Sequence, residues 1–269
     1  MTRLFGRFAR VAACCLLVLG SSRAVWAADG VKPLKPGQYN PSNETVELFD
    51  AMKAGQIDVK VIHKNEAAGK VLVTNKTDKP LNVKLPEKFA TVHVLAQFGG
   101  GGTGAVGGIG GGLGQSTGGG FGGGGGGGGG GLGGGVGGGG GMFNVAPEKV
   151  GELPFTSVCL EHGKPNPKSS MRYELRPLES VASDPEVGEL ISMLNAGKIS
   201  QRVAQVLAWQ LNNEMSFQEL AAKTIRRLDG SSYPYFSPAE IQAAMAAKDF
   251  IVRQLAERKA NPEAATPKL

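Results

Sequence analysis

Lys70-Val-Leu-Val-Thr-Asn-Lys-Thr-Asp-Lys-Pro-Leu-Asn-Val-Lys-Leu85 carries two apolar alternations on either side of one polar joint. Val71 and Val73 fall on one face of the first run, and Val83 and Leu85 on one face of the second. The reason is that successive side chains of a strand point to opposite sides. The joint, Asn75-Lys-Thr-Asp-Lys-Pro80, has turn chemistry throughout: Asn and Asp bond their own backbone, and Pro cannot donate to a ladder. This stretch therefore predicts two strands sharing a buried face. Upstream, Ile57-Asp-Val-Lys-Val61 alternates in the same way. Thr91-Val-His-Val-Leu-Ala96, Met142-Phe-Asn-Val145 and Phe155-Thr-Ser-Val-Cys-Leu160 add further short runs. Strands of this length, separated by polar turns, predict a small β-sandwich.

Helical signals bracket the strands. Asn43 to Ala54 holds Val46, Leu48, Phe49 and Met52 at helical spacing, with Ser42 or Asn43 as cap and Gly55 as stop. In the C-terminal part, Asp184-Pro-Glu-Val opens a helix that Gly197 closes. Ser200 opens a second, running to Asn213. Ser216-Phe-Gln-Glu219 and Ser237-Pro-Ala-Glu240 are capping boxes for a third and a fourth. The fourth keeps an apolar stripe through Ile241, Met245, Ile251, Val252 and Leu255. The loop before it, Asp229-Gly-Ser-Ser-Tyr-Pro-Tyr-Phe236, is expected to fold its aromatics back onto the helices. The class is thus α+β. A flexible leader (28–41) precedes a short helix plus sandwich (42–176), a segment of about four helices (177–260) and a tail (261–269).

Residues 99–141 contain 32 glycines out of 43, with no charge and no proline. Glycine loses the most backbone entropy on ordering and offers no side chain to bury, so the tract is expected to be a disordered insertion between two strands of one domain. Gly102-Thr-Gly-Ala-Val-Gly107 matches a dinucleotide fingerprint, but the helix that would receive a pyrophosphate is replaced by more glycine. The match is compositional, and no cofactor is expected.

Residues 1–27 follow the order of an export signal. Arg3, Arg7 and Arg10 make a basic start, Val11 to Leu19 an apolar run, and Ala24-Val-Trp-Ala27 a small-residue exit. Cleavage after Ala27 is expected. Val11-Ala-Ala-Cys14 resembles a lipidation box, but the apolar run mostly follows the cysteine instead of preceding it. The signal holds four arginines and no acids, which leaves 25 basic against 23 acidic groups in the mature chain. That balance supplies no field for nucleic acid or for an anionic membrane. No second long apolar run appears, so no integral membrane segment is expected in the mature protein. Asn43-Glu-Thr45 and Asn75-Lys-Thr77 are sequons that matter only in a glycosylating host.

One cysteine, Cys159, remains after the signal. A lone exported thiol is buried and inert, paired with another chain, or chemically used. With His162 it forms a single Cys-x-x-His pair, which falls short of the three or four ligands a metal needs, and no metal is expected. As a hydrolase nucleophile it would need His162 or another histidine as base. Helical spacing in the second helix puts Arg202, Gln205 and Trp209 on one stripe, with Val203, Val206, Leu207 and Leu211 inward.

Val158-Cys-Leu-Glu161 and Ala204-Gln-Val-Leu-Ala-Trp209 together resemble the thioester domains of bacterial surface adhesins. In that family an aromatic- or aliphatic-Cys motif pairs with a later Gln in a Thr-Gln-x-Ala-Ile-Trp-like motif. Here Ala204 stands for the Thr and Leu207 for the small Ala. The resemblance spans roughly residues 155–210 and implies an internal Cys159–Gln205 thioester, with Trp209 as a shield. The run from Cys159-Leu-Glu-His-Gly-Lys-Pro to Trp209-Gln-Leu-Asn-Asn also resembles a group of exported bacterial proteins with no assigned activity.

Three readings follow. The first is a non-enzymatic binding protein of the envelope or extracellular matrix, with a protein or envelope polymer as partner. The second is a covalent adhesin acting through Cys159 and Gln205, and the third a cysteine-dependent hydrolase.

Overall fold

The computed structural model of the protein describes residues 40–94, 114–121 and 141–261. The expected signal, residues 28–39 of the leader, residues 95–113 and 122–140, and the tail beyond residue 261 lie outside the described residues.

In chain order the elements are β1 (Glu44–Glu47), α1 (Leu48–Lys53), β2 (Ile57–His63), β3 (Ala68–Asn75), β4 (Leu81–Lys84) and β5 (Phe89–His93). Next come β6 (Thr117–Phe121), β7 (Met142–Val145), β8 (Val150–Cys159), β9 (Tyr173–Pro177) and a 3-10 turn at Leu178–Ser180. The rest are α2 (Pro185–Asn195), α3 (Gln201–Asn212), α4 (Phe217–Ala222), β10 (Thr224–Arg226), β11 (Ser232–Pro234) and α5 (Pro238–Ala260). No described helix is long and apolar enough to cross a membrane.

The class is α+β, and the expected sandwich is replaced by a closed barrel. Its six strands run β2-β3-β8-β6-β5-β9, and the Val61↔Tyr173 pair between β2 and β9 completes the ring. A separate sheet, β1-β4-β7, carries the remaining N-terminal strands. The strands flanking Asn75–Pro80 therefore do not pair with each other. β3 joins the barrel and β4 the small sheet, yet Val71, Val73, Val83 and Leu85 still share one core. The buried Asn75 amide shapes the joint by donating to the carbonyls of Lys79 (2.7 Å) and Val145 (3.0 Å). Both of its amide protons are thereby engaged in the folded chain.

The barrel closes because of a strand that composition concealed. Thr117-Gly-Gly-Gly-Phe121 was expected to belong to a disordered tract, but it forms β6, antiparallel to β5 through Phe89↔Gly119 and to β8 through Gly119↔Ser157. Without it the remaining strands leave a gap between β5 and β8. Odd-numbered residues line the interior, as the rings of His63, Phe89, Phe121, Phe155 and Tyr173 show by meeting across it. Even-numbered residues of β5, β6 and the end of β8 face the helices, where Ala90, Val158 and the following Leu160 join the helical core. On that face, absence of a side chain is what the packing requires. A Cβ on Gly118 would lie 3.0 Å from Ile191 Cδ1, and one on Gly120 would overlap the Asn195 amide. Glycine lets α2 settle directly on the strand.

The helix caps appear where the sequence puts them. Asp184 accepts from Glu186 N–H, Ser200 from Val203 N–H, and Ser216 and Ser237 form complete capping boxes. Gly55 and Gly197, both at positive φ, end α1 and α2 as expected. Two helical expectations change. Residues 44–47 are a parallel strand on β4, so only Leu48–Lys53 of the first helix forms. On α5 the buried stripe is Ile241, Ala244, Ala247 and Ile251, while Met245 and Val252 are exposed.

Filling the glycine face should separate α2 from the barrel. Gly118→Val and Gly120→Val are each expected to lower stability by about 1–3 kcal/mol through overpacking, measured as the shift in urea midpoint at constant m-value.

Candidate functional site

The site expected around Cys159 lies where β8 outruns its neighbour. β3 begins at Ala68, so its pairing with β8 stops at Thr156. Ser157 N–H still reaches the Ala67 carbonyl at 2.9 Å, and beyond that no strand among the described residues flanks this edge. A buried strand edge cannot leave its amides and carbonyls unpaired. Helix α3 takes the place of the missing strand. Gln201 Nε2 donates to the Ser157 carbonyl at 3.2 Å. One turn on, Gln205 Oε1 accepts from Cys159 N–H at 2.8 Å while its Nε2 donates to the Cys159 carbonyl at 2.9 Å. Asn212 Nδ2 donates to the Leu160 carbonyl (2.8 Å), and Asn213 Oδ1 accepts from His162 N–H (2.9 Å). On the other edge, Leu160 N–H donates to the Ser116 carbonyl.

Cys159 and Gln205 are thus brought together, through the cysteine's main chain. Of the stripe Arg202, Gln205 and Trp209, the last two are buried, at 3% and 5% exposed, because the barrel edge and the other helices cover α3 on opposite sides, while Arg202 stays half-exposed. Cys159 stands opposite Thr117 in register and shares the inward parity of Leu153, Phe155 and Ser157. Its thiol, 1% exposed as a residue, has its pKa pushed up, first by burial and then by the Glu66 carboxylate. The thiolate that metal binding or nucleophilic attack requires is therefore disfavoured.

Around the thiol, this end of the barrel is polar, which the strand alternations did not reveal. His63 Nε2 lies 2.8 Å from Thr91 Oγ1, which lies 2.8 Å from Thr117 Oγ1. His63 Nδ1 faces the Asn65 carbonyl at 3.3 Å. A neutral ring with its proton on Nδ1 fits all these partners. Burial lowers the His63 pKa to about 4, and the Asn65 hydrogen bond only partly offsets this. Tyr173 packs against both His63 and His93, and its hydroxyl donates to the Gln115 carbonyl at 3.1 Å. A signal for His63 was present in its position, two residues past Val61 and therefore inward-facing.

Trp209 sits one turn beyond Gln205. Its ring meets His162 edge to face at 4.7 Å between centroids, with Tyr235 and Phe236 on its other sides. Lys223 Nζ contacts His162 Nε2 at 2.9 Å and lies over the Trp209 and Tyr235 rings. Burial, followed by the Lys223 charge, lowers the His162 pKa. Among the described residues, no group of three His, Cys, Asp or Glu is placed to hold a metal. None of the histidines hydrogen-bonds Cys159.

The chain matches no family model, no curated protein and no solved structure. Function has to follow from the chemistry of these residues.

Gln205→Ala would strand two buried main-chain groups. It is expected to cost about 2–4 kcal/mol in chemical denaturation, several times the cost of Cys159→Ala. His63 supplies a pH signature. Because its folded pKa is depressed, the unfolded chain binds the extra proton between about pH 6.5 and pH 4. Stability is full above that window and falls as the pH drops through it, by about 3 kcal/mol in total. His63→Gln should flatten most of this slope, with His162 leaving a residue of the same sign; matched urea titrations across the window measure it.

Proposed function

We propose that the protein is an exported, non-enzymatic binding protein of the cell envelope or extracellular matrix, engaging a protein or envelope polymer through noncovalent contacts. The carrying observation is the state of the one thiol outside the export signal. It is buried in the barrel, held in its protonated form, and without a histidine in hydrogen-bond contact. These features favour a packing role for Cys159 and offer least to the hydrolase reading, which needs a thiolate and an adjacent base. Export rests on the order of residues 1–27, and the near-neutral balance of the mature chain argues against a nucleic-acid partner.

A second reading keeps one observation in its favour. The Gln205 side-chain amide lies within hydrogen-bond distance of Cys159, the pair that the resemblance to thioester domains singles out. Condensation would join Sγ to Cδ, break the Cδ–N bond and release ammonia carrying the thiol proton. Gln205 would have to give up both of its bonds to the Cys159 main chain first. Noncovalent binding asks for no such rearrangement and is the preferred reading.

Intact mass and thiol titration of the exported protein, purified without amines or reductant, separate the two. The expected result is the full mass for a chain beginning at Ala28, with one thiol that reacts only after unfolding. A mass one ammonia lower, with no thiol even when unfolded, would establish the thioester instead. A chain retained inside the cell with residues 1–27 intact would contradict export.

A further inference from the structure

The β10–β11 hairpin is exposed apart from the half-buried Ile225 and pairs with no third strand among the described residues. At its tip Leu228 is fully exposed, more so than any other large apolar residue described. The turn is well built. Arg227 N–H donates to the Ser231 carbonyl (2.8 Å) and Gly230 N–H to the Arg227 carbonyl (3.1 Å). The Asp229 carboxylate turns back to accept from Ser231 N–H (2.9 Å) and Oγ (2.7 Å). A leucine is therefore held out in water on a preorganised scaffold. Beside it stand Arg226 and Arg227, the latter over the Tyr233 ring at 4.7 Å, with Tyr233 itself 40% exposed. Neither arginine makes an ion pair with Asp229. The base of the hairpin is fixed: Tyr235 N–H donates to the Lys223 carbonyl (2.7 Å), and Tyr235 and Phe236 pack on Trp209. The aromatic loop thus divides, with Tyr235 and Phe236 folded back as expected and Tyr233 left outward.

The tip is too small for a stable protein interface, which takes roughly 800 Å² from each partner. It has the composition of an interfacial anchor. A leucine enters the acyl boundary, guanidinium groups reach phosphates on apolar stems, and a phenol rests among the headgroups. A fluid anionic surface needs no complementary pocket, and the local excess of cations matches its charge even though the mature chain is nearly neutral overall. We propose that this hairpin docks the protein onto an anionic lipid surface, with Leu228 inserted and Arg226 and Arg227 on the headgroup phosphates. The inference rests on the export reading, which places the chain beside such surfaces, and it adds a lipid contact to the protein or polymer partner proposed above.

The test is co-sedimentation of the exported form, its N-terminus sequenced, with phosphatidylcholine vesicles that contain or lack phosphatidylglycerol. Binding is expected only with phosphatidylglycerol, weakening as salt is raised. Leu228→Asp should lower it about tenfold or more, and Arg226→Ser with Arg227→Ser about fivefold per arginine. Met245→Asp, on the exposed face of α5, should leave it unchanged. In a Leu228→Trp variant, the emission should shift to the blue on anionic vesicles alone. Absence of binding, binding that the hairpin variants do not alter, or a hairpin-dependent complex with a soluble protein in place of vesicles would each overturn the proposal. Because binding is read on purified protein, its failure leaves export standing, while a chain retained in the cell removes export without altering the vesicle result.

Discussion

The side-chain amide of Gln205, bonded to both the N–H and the C=O of Cys159, lets a helix finish a sheet. Strand β8 is the longest in the barrel and continues past the start of β3, so its last residues keep β6 on one edge and meet α3 on the other. Burying that edge against helices costs dearly unless its polar groups are paired. Gln201, Gln205, Asn212 and Asn213 supply the pairs, at positions that recur on one side of α3. The helical core is thereby locked to the barrel by direction-specific bonds as well as by apolar area. The arrangement also explains why Gln205 is buried, with its amide turned to the main chain.

A second constraint works through absence. β6 presents glycines to α2, and the helix approaches because no Cβ holds it off. The inward face of the same strand still contributes Thr117 to the polar chain through Thr91 to His63, and Phe121 to the aromatic interior. The barrel interior is graded as a result. Phe121 and Phe155 pack on Phe89, while His63, Thr91, Thr117 and Tyr173 gather into one polar cluster, with Thr117 opposite Cys159.

Much of the local structure was legible. Caps at Asp184, Ser200, Ser216 and Ser237 depend only on neighbours a few residues away, and all four form. Alternation located β2, β3, β4 and β7 for the same reason. Closure was not legible, because it depends on β6, whose composition is that of a spacer and whose order comes from the strands on both sides of it. β9 was missed as well, since Tyr173–Pro177 carries only two inward apolar residues among charged ones. At the candidate site, the resemblance pairs Cys159 with Gln205, and the structure puts the Gln205 amide on the Cys159 main chain. The nature of their contact was hidden, because a strand's unpaired edge becomes visible only once its partners' lengths are known. Met245 and Val252 looked inward by hydrophobicity, yet small alanines at 244 and 247 face the core because α5 packs closely.

Amide hydrogen exchange at Cys159 tests the central claim most directly. If α3 completes the β8 edge, this amide exchanges as slowly as the barrel core. Gln205→Ala should then release it selectively, while the Leu160 amide, bonded to Ser116 on the opposite edge, stays protected. A Cys159 amide that exchanges like an exposed loop in the native protein, or one whose protection survives Gln205→Ala, would contradict the account.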